Sequence, residues 1–187
     1  MPADHQPPAG SASTPDELGG PLPTDGRLMG IDFGTRRIGL AVSTPEQSFS
    51  APLDVLYRTT PAVEARELRE LVEDYRIVGF VIGLPLHVSG DESSVSYKAR
   101  LFGAWLHETC QRPVRFWDER YSSSVADDWL AESGLTRDNR KANRDRLSAY
   151  VILQSYLERQ RADRQVESSP DPQAIDDVDD FDADEPE

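Results

Sequence analysis

Residues 28–43 read LMGIDFGTRRIGLAVS, and this stretch decides the fold of the chain. It contains two short apolar segments, 28–33 and 37–43, with only three residues between them. Short apolar runs bounded by glycine predict buried strands, and so short a connection predicts a hairpin. The folded part of the chain is therefore expected to start with two antiparallel strands, the first of which carries an acid, Asp32, at its end.

The sequence after this hairpin predicts a mixed sheet with helices packed on it. Five strands are predicted at 28–33, 37–43, 50–57, 77–83 and 114–117, and helices are predicted from Pro61 and over 95–109, 124–132 and 143–161. The element order is β-β-β-α-β-α-β-α-α. A meander followed by βαβ crossovers predicts an α/β fold with a mixed five-stranded sheet, because such crossovers join parallel strands.

Charge divides the 187 residues into three parts. Acidic residues outnumber basic ones by 34 to 20, which gives a net charge of −14. Residues 1–26 hold four acids, six prolines and no Lys or Arg, and 165–187 hold ten acids and no Lys or Arg, whereas 27–164 is neutral. We expect a domain over 27–164 between two disordered acidic ends, because neither end has enough apolar surface to offset the entropy of ordering. The acidic tail is either solvated or contacts a basic surface.

Composition excludes several classes of protein. A single cysteine, Cys110, excludes an intrachain disulfide framework and a multi-cysteine zinc site. No apolar run approaches the roughly 18 residues that a membrane span requires, and the first residues are not those of a secretory signal. We therefore expect a cytoplasmic protein with no membrane partner.

Acidic residues stand at the ends of three predicted elements. Asp32 lies near the end of the first strand, Asp118 and Glu119 follow the fifth, and Asp145 lies in the first turns of the last helix. Each has a structural explanation alone: a turn cap, an ion pair with Arg120, or a favourable helix-dipole position. Together they are expected to meet at one sheet edge, where clustered carboxylates need a cation. Oxygen ligands suit Mg²⁺ or Mn²⁺, and two such ions serve phosphodiester hydrolysis.

Basic residues accompany these acids. The window 137–146 holds five bases and two acids, a net charge of +3. Such a cluster is either a solvated loop or a surface for the phosphates of a nucleic acid, and its place beside the acids favours the second interpretation. The candidate nucleic-acid-binding residues are Arg36, Arg37, Arg120, Arg137, Arg140, Lys141, Arg144 and Arg146.

Four blocks of this sequence resemble the YqgF family, also called RuvX. They are GIDFGTRRIGLAV at 30–42, GLPL at 83–86 with Gly90, DER at 118–120, and Asp145 followed by ILQSYL at 152–157. The resemblance covers about 27–160 and implies an RNase H-like fold related to Holliday junction resolvases. It also implies a nuclease that processes the 5′ end of the 16S ribosomal RNA precursor. The acids carried over are Asp32, Asp118, Glu119 and Asp145 as catalytic residues, and Asp32, Glu119 and Asp145 as metal ligands.

Other functions remain open from the sequence. The opening GIDFGT also begins actin-like ATPases and sugar kinases, but that architecture needs two such domains and this chain has room for one. A catalytically silent protein that binds RNA or ribosomal particles, and a resolvase of branched DNA, share the same fold. The expected partner in each nuclease interpretation is structured RNA or branched DNA.

Overall fold

The computed structural model describes residues 16–85, 93–118 and 137–167, and within the last range the side chains of 146–165. The predicted helix over 124–132 lies outside the described residues. The described strands are β1 (Glu17–Leu18), β2 (Arg27–Phe33), β3 (Arg37–Ser43), β4 (Ser50–Tyr57), β5 (Ile77–Leu84) and β6 (Val114–Asp118). The described helices are α1 (Pro61–Tyr75), α2 (Ser94–Cys110) and α3 (Arg137–Glu167).

The strands form one mixed sheet in the order β1-β6-β5-β2-β3-β4. β2, β5 and β6 run parallel, whereas β3, β4 and β1 are antiparallel to their neighbours. The predicted hairpin, meander and parallel crossovers are therefore confirmed, although the described sheet has six strands where five were predicted. The parallel centre brings the carboxyl ends of β2, β5 and β6 to one edge of the sheet.

The sixth strand comes from the segment that was predicted to be disordered. β1 pairs with β6, and the backbone N–H of Phe116 donates to the carbonyl of Asp16 at 2.8 Å. The Arg100 guanidinium binds the Asp16 carboxylate at 3.0 Å, and Arg115 pairs with Glu17. The predicted domain boundary at residue 27 is thus wrong for residues 16–26. The composition of residues 16–26 does not favour folding on its own. Here, however, residues 17–18 pair with the backbone of β6, which would otherwise be an uncovered edge strand.

Strand alternation divides the core between the two faces of the sheet. Met29 and Ile31 belong to the cluster beneath α1 and α2, and we call this side the α1/α2 face. Leu28 belongs to the cluster beneath α3, on the side we call the α3 face. Side chains of a strand point alternately to its two sides, so that this register fixes which face each site residue occupies.

Helix α3 approaches the sheet most closely at Gly30. A Cβ atom at Gly30 would lie 2.6 Å from the Cβ of Leu153 and 2.8 Å from the carbonyl oxygen of Ala149. Further along α3, the side-chain oxygen of Gln154 accepts from the backbone N–H of Ser50 at 3.1 Å, where β4 begins. Since the start of β4 lies at the amino end of β2, α3 runs antiparallel to β2 and its first turns lie toward the carboxyl end of β2.

Candidate active site

Asp32 lies at the carboxyl end of β2, on the α3 face. Ile31 pairs with Ile82 of β5, and Gly83 pairs with Trp117 of β6, so that Asp32 shares a row of the sheet with Gly83 and Trp117. The Asp32 residue is partly exposed. Its neighbour Gly83 adds no side chain, which leaves the carboxylate at an accessible edge of the sheet.

Asp118 ends β6 at the same edge but on the other face. It pairs with Leu84, whose side chain belongs to the core beneath α1 and α2. The register therefore brings Asp32 and Asp118 to one end of the sheet and separates them by face. Glu119 follows Asp118 and lies outside the described residues.

Asp145 lies on the first turns of α3, and its backbone position is set by the contact at Gly30. Ala149, which touches Gly30, follows Asp145 by one helical turn, or about 6 Å along the helix axis. Asp32 lies two residues beyond Gly30, or about 7 Å along the strand in the same direction. Both backbone positions therefore lie toward the carboxyl end of β2, and the convergence of their side chains stays a prediction. The side chain of Asp145 lies outside the described residues.

Trp117 holds the end of β6 against α3. Its indole N–H donates to the hydroxyl oxygen of Ser155 at 2.9 Å, and its ring meets Tyr156 edge-on with centroids 5.3 Å apart. Burial raises the pKa of the Tyr156 hydroxyl, which accepts a hydrogen bond from Gln160. The contact with Ser155 could not be read from the sequence, because it joins two elements far apart in the chain.

The opposite side of the same sheet edge is tied to α2. The hydroxyl groups of Ser96 and Ser93 donate to the carbonyl of Pro85, which follows β5, at 2.5 and 3.3 Å. Ser93 and Ser96 also cap each other's backbone at the start of α2. The carboxyl end of β5 and the amino end of α2 are therefore joined into one fixed unit next to Asp32.

The candidate basic residues lie in two groups. Arg36 is exposed in the β2–β3 turn, and Arg37, at the start of β3, is partly buried. The second group lies in the segment 137–146, which has a net charge of +3. The last helix was predicted to begin at 143, but α3 begins at Arg137, so this segment is helical. Arg146 is partly buried in it. Of the remaining candidates, Arg120 lies outside the described residues, as do the side chains of Arg137, Arg140, Lys141 and Arg144.

Among the described residues, no group of three or more His, Cys, Asp or Glu side chains is arranged to hold a metal ion. Glu119 and the side chain of Asp145 lie outside these residues. No helix in the described part of the chain is both long and apolar enough to cross a membrane.

The fold and this edge define an α/β protein of the nuclease-resolvase class. The family described as "RuvX: Holliday junction resolvase" matches residues 26–159, and the chain belongs to that family. It is 44% identical over 145 residues to a "Putative pre-16S rRNA nuclease" of Koribacter versatilis, covering 78% of this chain and 95% of that relative. A relative of the same name from Rhodopirellula baltica is 39% identical over 137 residues, covering 73% and 79%.

Several of the solved structures that resemble the chain are those of resolvases. Thermus thermophilus RuvC in complex with a Holliday junction substrate has a TM-score of 0.48 at 16% identity, covering 73% of this chain and 96% of that one. A fowlpox virus resolvase with Holliday junction DNA has a TM-score of 0.47 at 10% identity, covering 72% and 98%. Family membership together with the sheet topology confirms the predicted RNase H-like fold.

Proposed function

We propose that this chain is a divalent-metal-dependent endonuclease that processes the 5′ end of the 16S ribosomal RNA precursor in the cytoplasm. The proposal rests mainly on one observation: the backbone positions of Asp32 and Asp145 both lie toward the carboxyl end of β2. The names of the related proteins support a ribosomal RNA precursor as the substrate.

The residues at this edge fit a hard divalent cation. Asp32 offers a partly exposed carboxylate beside a glycine, and the other proposed ligands, Glu119 and Asp145, also offer only oxygen. Oxygen donors without His or Cys are the set that Mg²⁺ and Mn²⁺ prefer. When bound, a pair of such ions would supply activation of the attacking water and stabilisation of the leaving oxygen.

We assign different roles to Asp118, which ends β6, and to Glu119, which follows it in the sequence. Asp118 lies on the α1/α2 face, away from Asp32, so we propose that it positions the strand end and is not a metal ligand. Glu119 is then the member of the pair that ligates. Trp117, held by Ser155, is proposed as a positioning residue because it fixes the strand immediately before these acids.

The basic residues are proposed to hold the nucleic-acid backbone. Arg36 is exposed in the turn after Asp32, and the turns of α3 that carry Arg140, Lys141 and Arg144 lie at the same end of the sheet. Cations at these positions neutralise phosphates without reading bases. Neutralising one of them should weaken binding to all sequences and reduce the salt slope of binding by about 1.

The proposal is tested by a cleavage assay on two substrates, a precursor 16S ribosomal RNA fragment and a four-way DNA junction. Each is incubated with the purified full chain and Mg²⁺, Mn²⁺ or a chelator. Metal-dependent cleavage of the RNA at one 5′ position is the expected result. Cleavage of the junction alone would favour the second candidate, a branched-DNA resolvase, which the family description supports. Tight binding of RNA or ribosomal particles with no cleavage of either substrate would instead indicate a silent binding protein.

A further inference from the structure

A groove opens on the α1/α2 face at the same end of the sheet as Asp32. It has a volume of about 550 Å³ and lies between the turn after β2, the start of α1 and the outer side of α2. A site of this size accommodates a small molecule or one unit of a polymer. The residues that matter for its chemistry are Phe33, Arg58, Lys98, Leu101, Phe102 and Trp105.

Arg58 is held in a fixed orientation inside this groove. Its Nε donates to both carboxylate oxygens of Glu64 at 3.0 and 3.1 Å, and the Glu64 side chain is buried. The guanidinium carbon lies 5.3 Å from the ring centre of Phe33 and 5.4 Å from that of Phe102. The two ring centres are 5.1 Å apart, so the rings lie next to each other beside the guanidinium. The Arg58 side chain is 29% exposed and lines the groove.

The chemistry of this groove favours a nucleobase over a phosphate. The Nε of Arg58 is already engaged by the Glu64 carboxylate, so the pair offers an anion little net charge, and the other cation of the lining, Lys98, is exposed to solvent. An aromatic base instead stacks on a guanidinium plane or an indole, and both surfaces are present in Arg58 and Trp105. Leu101, which is 55% exposed, adds an apolar wall that a stacked base would cover.

The groove borders the β2–β3 turn, which follows the proposed metal ligand Asp32. Phe33 follows Asp32 directly, and Thr35 lines the groove. The backbone N–H of Arg58 donates to the carbonyl of Arg36 at 3.0 Å, which fixes this turn to the groove wall. A strand whose phosphates pass the exposed Arg36 therefore reaches both places.

We propose that this groove binds one unpaired nucleobase of the nucleic-acid strand that enters the active site. The proposal rests on the proposed nuclease function for the identity of the ligand. It implies a substrate with an unpaired nucleotide near the cleaved bond, because a base inside a duplex has no free face to stack.

The test measures equilibrium binding of a fluorescent single-stranded RNA to the full chain in the presence of a chelator, so that no cleavage occurs. Trp105→Ala should raise the Kd roughly 5- to 150-fold, the range found when a stacking aromatic is removed. The salt slope should stay unchanged, since a base contact releases no counterions. Phe49→Ala is the control for loss of an aromatic side chain outside the groove, because Phe49 is 65% exposed on the segment before β4, at the far end of β3, whereas Trp105 is partly buried in the groove wall.

A second variant guards against a folding effect of Trp105→Ala. Leu101→Asn alters an exposed position and should cause a smaller loss of affinity in the same direction. A set of oligonucleotides is then compared, each with an abasic site at a different position. At one position, the abasic site should weaken binding to the wild-type chain but not to the Trp105→Ala variant. Wild-type affinity in both folded variants would overturn the proposal, as would a loss accompanied by a smaller salt slope, which indicates phosphate binding. Absence of cleavage by the wild-type chain would reject the nuclease function and leave this binding test valid.

Discussion

Two consecutive residues, Asp32 and Phe33, open onto the two faces of the sheet at its carboxyl edge. Asp32 lies on the α3 face, next to Gly83 of β5 and at the end of the sheet toward which the first turns of α3 lie. Phe33 lies on the α1/α2 face, in a groove with aromatic and basic walls. Successive residues of a strand point to opposite faces of the sheet. Two neighbouring residues therefore belong to different faces: one face is acidic and suited to phosphodiester chemistry, and the other is aromatic and suited to base binding.

The two faces are also closed by different means. On the α3 face the helix meets the strand almost backbone to backbone at Gly30, and a hydrogen bond joins Trp117 to Ser155. On the α1/α2 face large side chains fill the space, and the partly exposed Arg58, paired with the buried Glu64, lines the remaining groove. Close backbone contact fixes relative position well, whereas bulky side chains leave room for a ligand.

The largest effect is expected from Asp32→Asn. The amide has nearly the same shape as the carboxylate but ligates Mg²⁺ poorly, so the fold and RNA binding should persist while cleavage falls. We expect a decrease of at least about 100-fold, because loss of outer-sphere partners of a metal alone costs 10- to 100-fold. The rate of RNA cleavage at saturating substrate measures it, with circular dichroism to check folding.

The matched control on the other face is Leu101→Asn, which leaves the metal ligands in place. It should reduce RNA affinity while the cleavage rate at saturation stays near that of the wild type. If Asp32→Asn cleaves as fast as the wild type in a preparation free of other nucleases, Asp32 has no part in the chemistry. If both variants lower affinity and rate equally, the two faces do not have separate functions.

A second prediction compares the two helix-to-sheet contacts. Gly30→Ala places a Cβ 2.6 Å from the Leu153 Cβ and 2.8 Å from the Ala149 carbonyl, which forces α3 away from β2. Overpacking of this kind costs about 1–3 kcal/mol of unfolding free energy. Because the displaced helix carries Asp145, the cleavage rate should fall more than the loss of folded protein explains. Urea denaturation and cleavage kinetics on the same samples provide the two values.

Gly103→Ala is the corresponding variant on the α1/α2 face. Its Cβ would lie 2.5 Å from the end of the Phe116 ring, so that it also overpacks. In a helix, however, alanine is favoured over glycine by about 1 kcal/mol, which offsets part of that cost. Cleavage by the folded fraction should be unchanged, since α3 does not move. A cleavage defect as large as that of Gly30→Ala would argue against a position-sensitive α3 face.

Periodicity and turn chemistry predicted most of the fold. The hairpin at 28–43 and the strand at 50–57 agree with the structure because each is decided by neighbouring residues. The helix start at Pro61 agrees as well, where Thr60 caps α1 by accepting from the backbone N–H of Val63. Local rules thus predicted elements whose stabilising contacts are local.

Features that depend on distant partners were not predictable from the sequence. β1 was missed because its pairing with β6 cannot be read from an acidic, proline-rich composition. The groove was missed because Phe33, Arg58 and Trp105 come from three separate elements. Of the site, the position of Asp32 at a strand end was predicted correctly, whereas the opposite face of Asp118 required the register of the sheet. The ligand set of Asp32, Glu119 and Asp145 stays a prediction.

A third prediction uses the buried thiol of the α1/α2 face. Burial raises the pKa of Cys110 from its ordinary value of 9.0 to about 11, and the nearby Arg69 and Arg112 oppose this in part. The folded state then keeps its proton where the unfolded state loses it. The Cys110 contribution to stability should be constant below pH 9 and should fall between pH 9 and 11, by about 2 kcal/mol at most. Urea denaturation across this range measures it.

Other groups titrate at high pH, so the difference from Cys110→Ala isolates the thiol. That variant should lose stability at neutral pH through its cavity but should show a flatter decline above pH 9. Parallel declines in both proteins would show that Cys110 is not buried as the structure has it. Cleavage at pH 7 should be unaffected in either case, because Cys110 is not among the proposed metal ligands.

The smallest expected effect concerns the hydrogen bond that joins the end of β6 to α3. Trp117→Phe keeps an aromatic ring against Tyr156 but removes the N–H that donates to the Ser155 hydroxyl. The loss should be about 1 kcal/mol of unfolding free energy, the usual net value of one hydrogen bond. Since Trp117 directly precedes the acids at 118–119, the turnover number should fall while RNA affinity, set by other residues, stays constant.

Ser155→Ala removes the acceptor of the same bond and is the partner variant in a double-mutant cycle. If the contact is what holds the strand end, the two substitutions should be less than additive, with a coupling of about 0.5–1 kcal/mol. Both single variants should then show the same fall in turnover number, although only one of them is close to the proposed ligands. Additive stability losses, or a turnover defect in Trp117→Phe alone, would mean that the ring itself, and not its tie to α3, positions the acidic face.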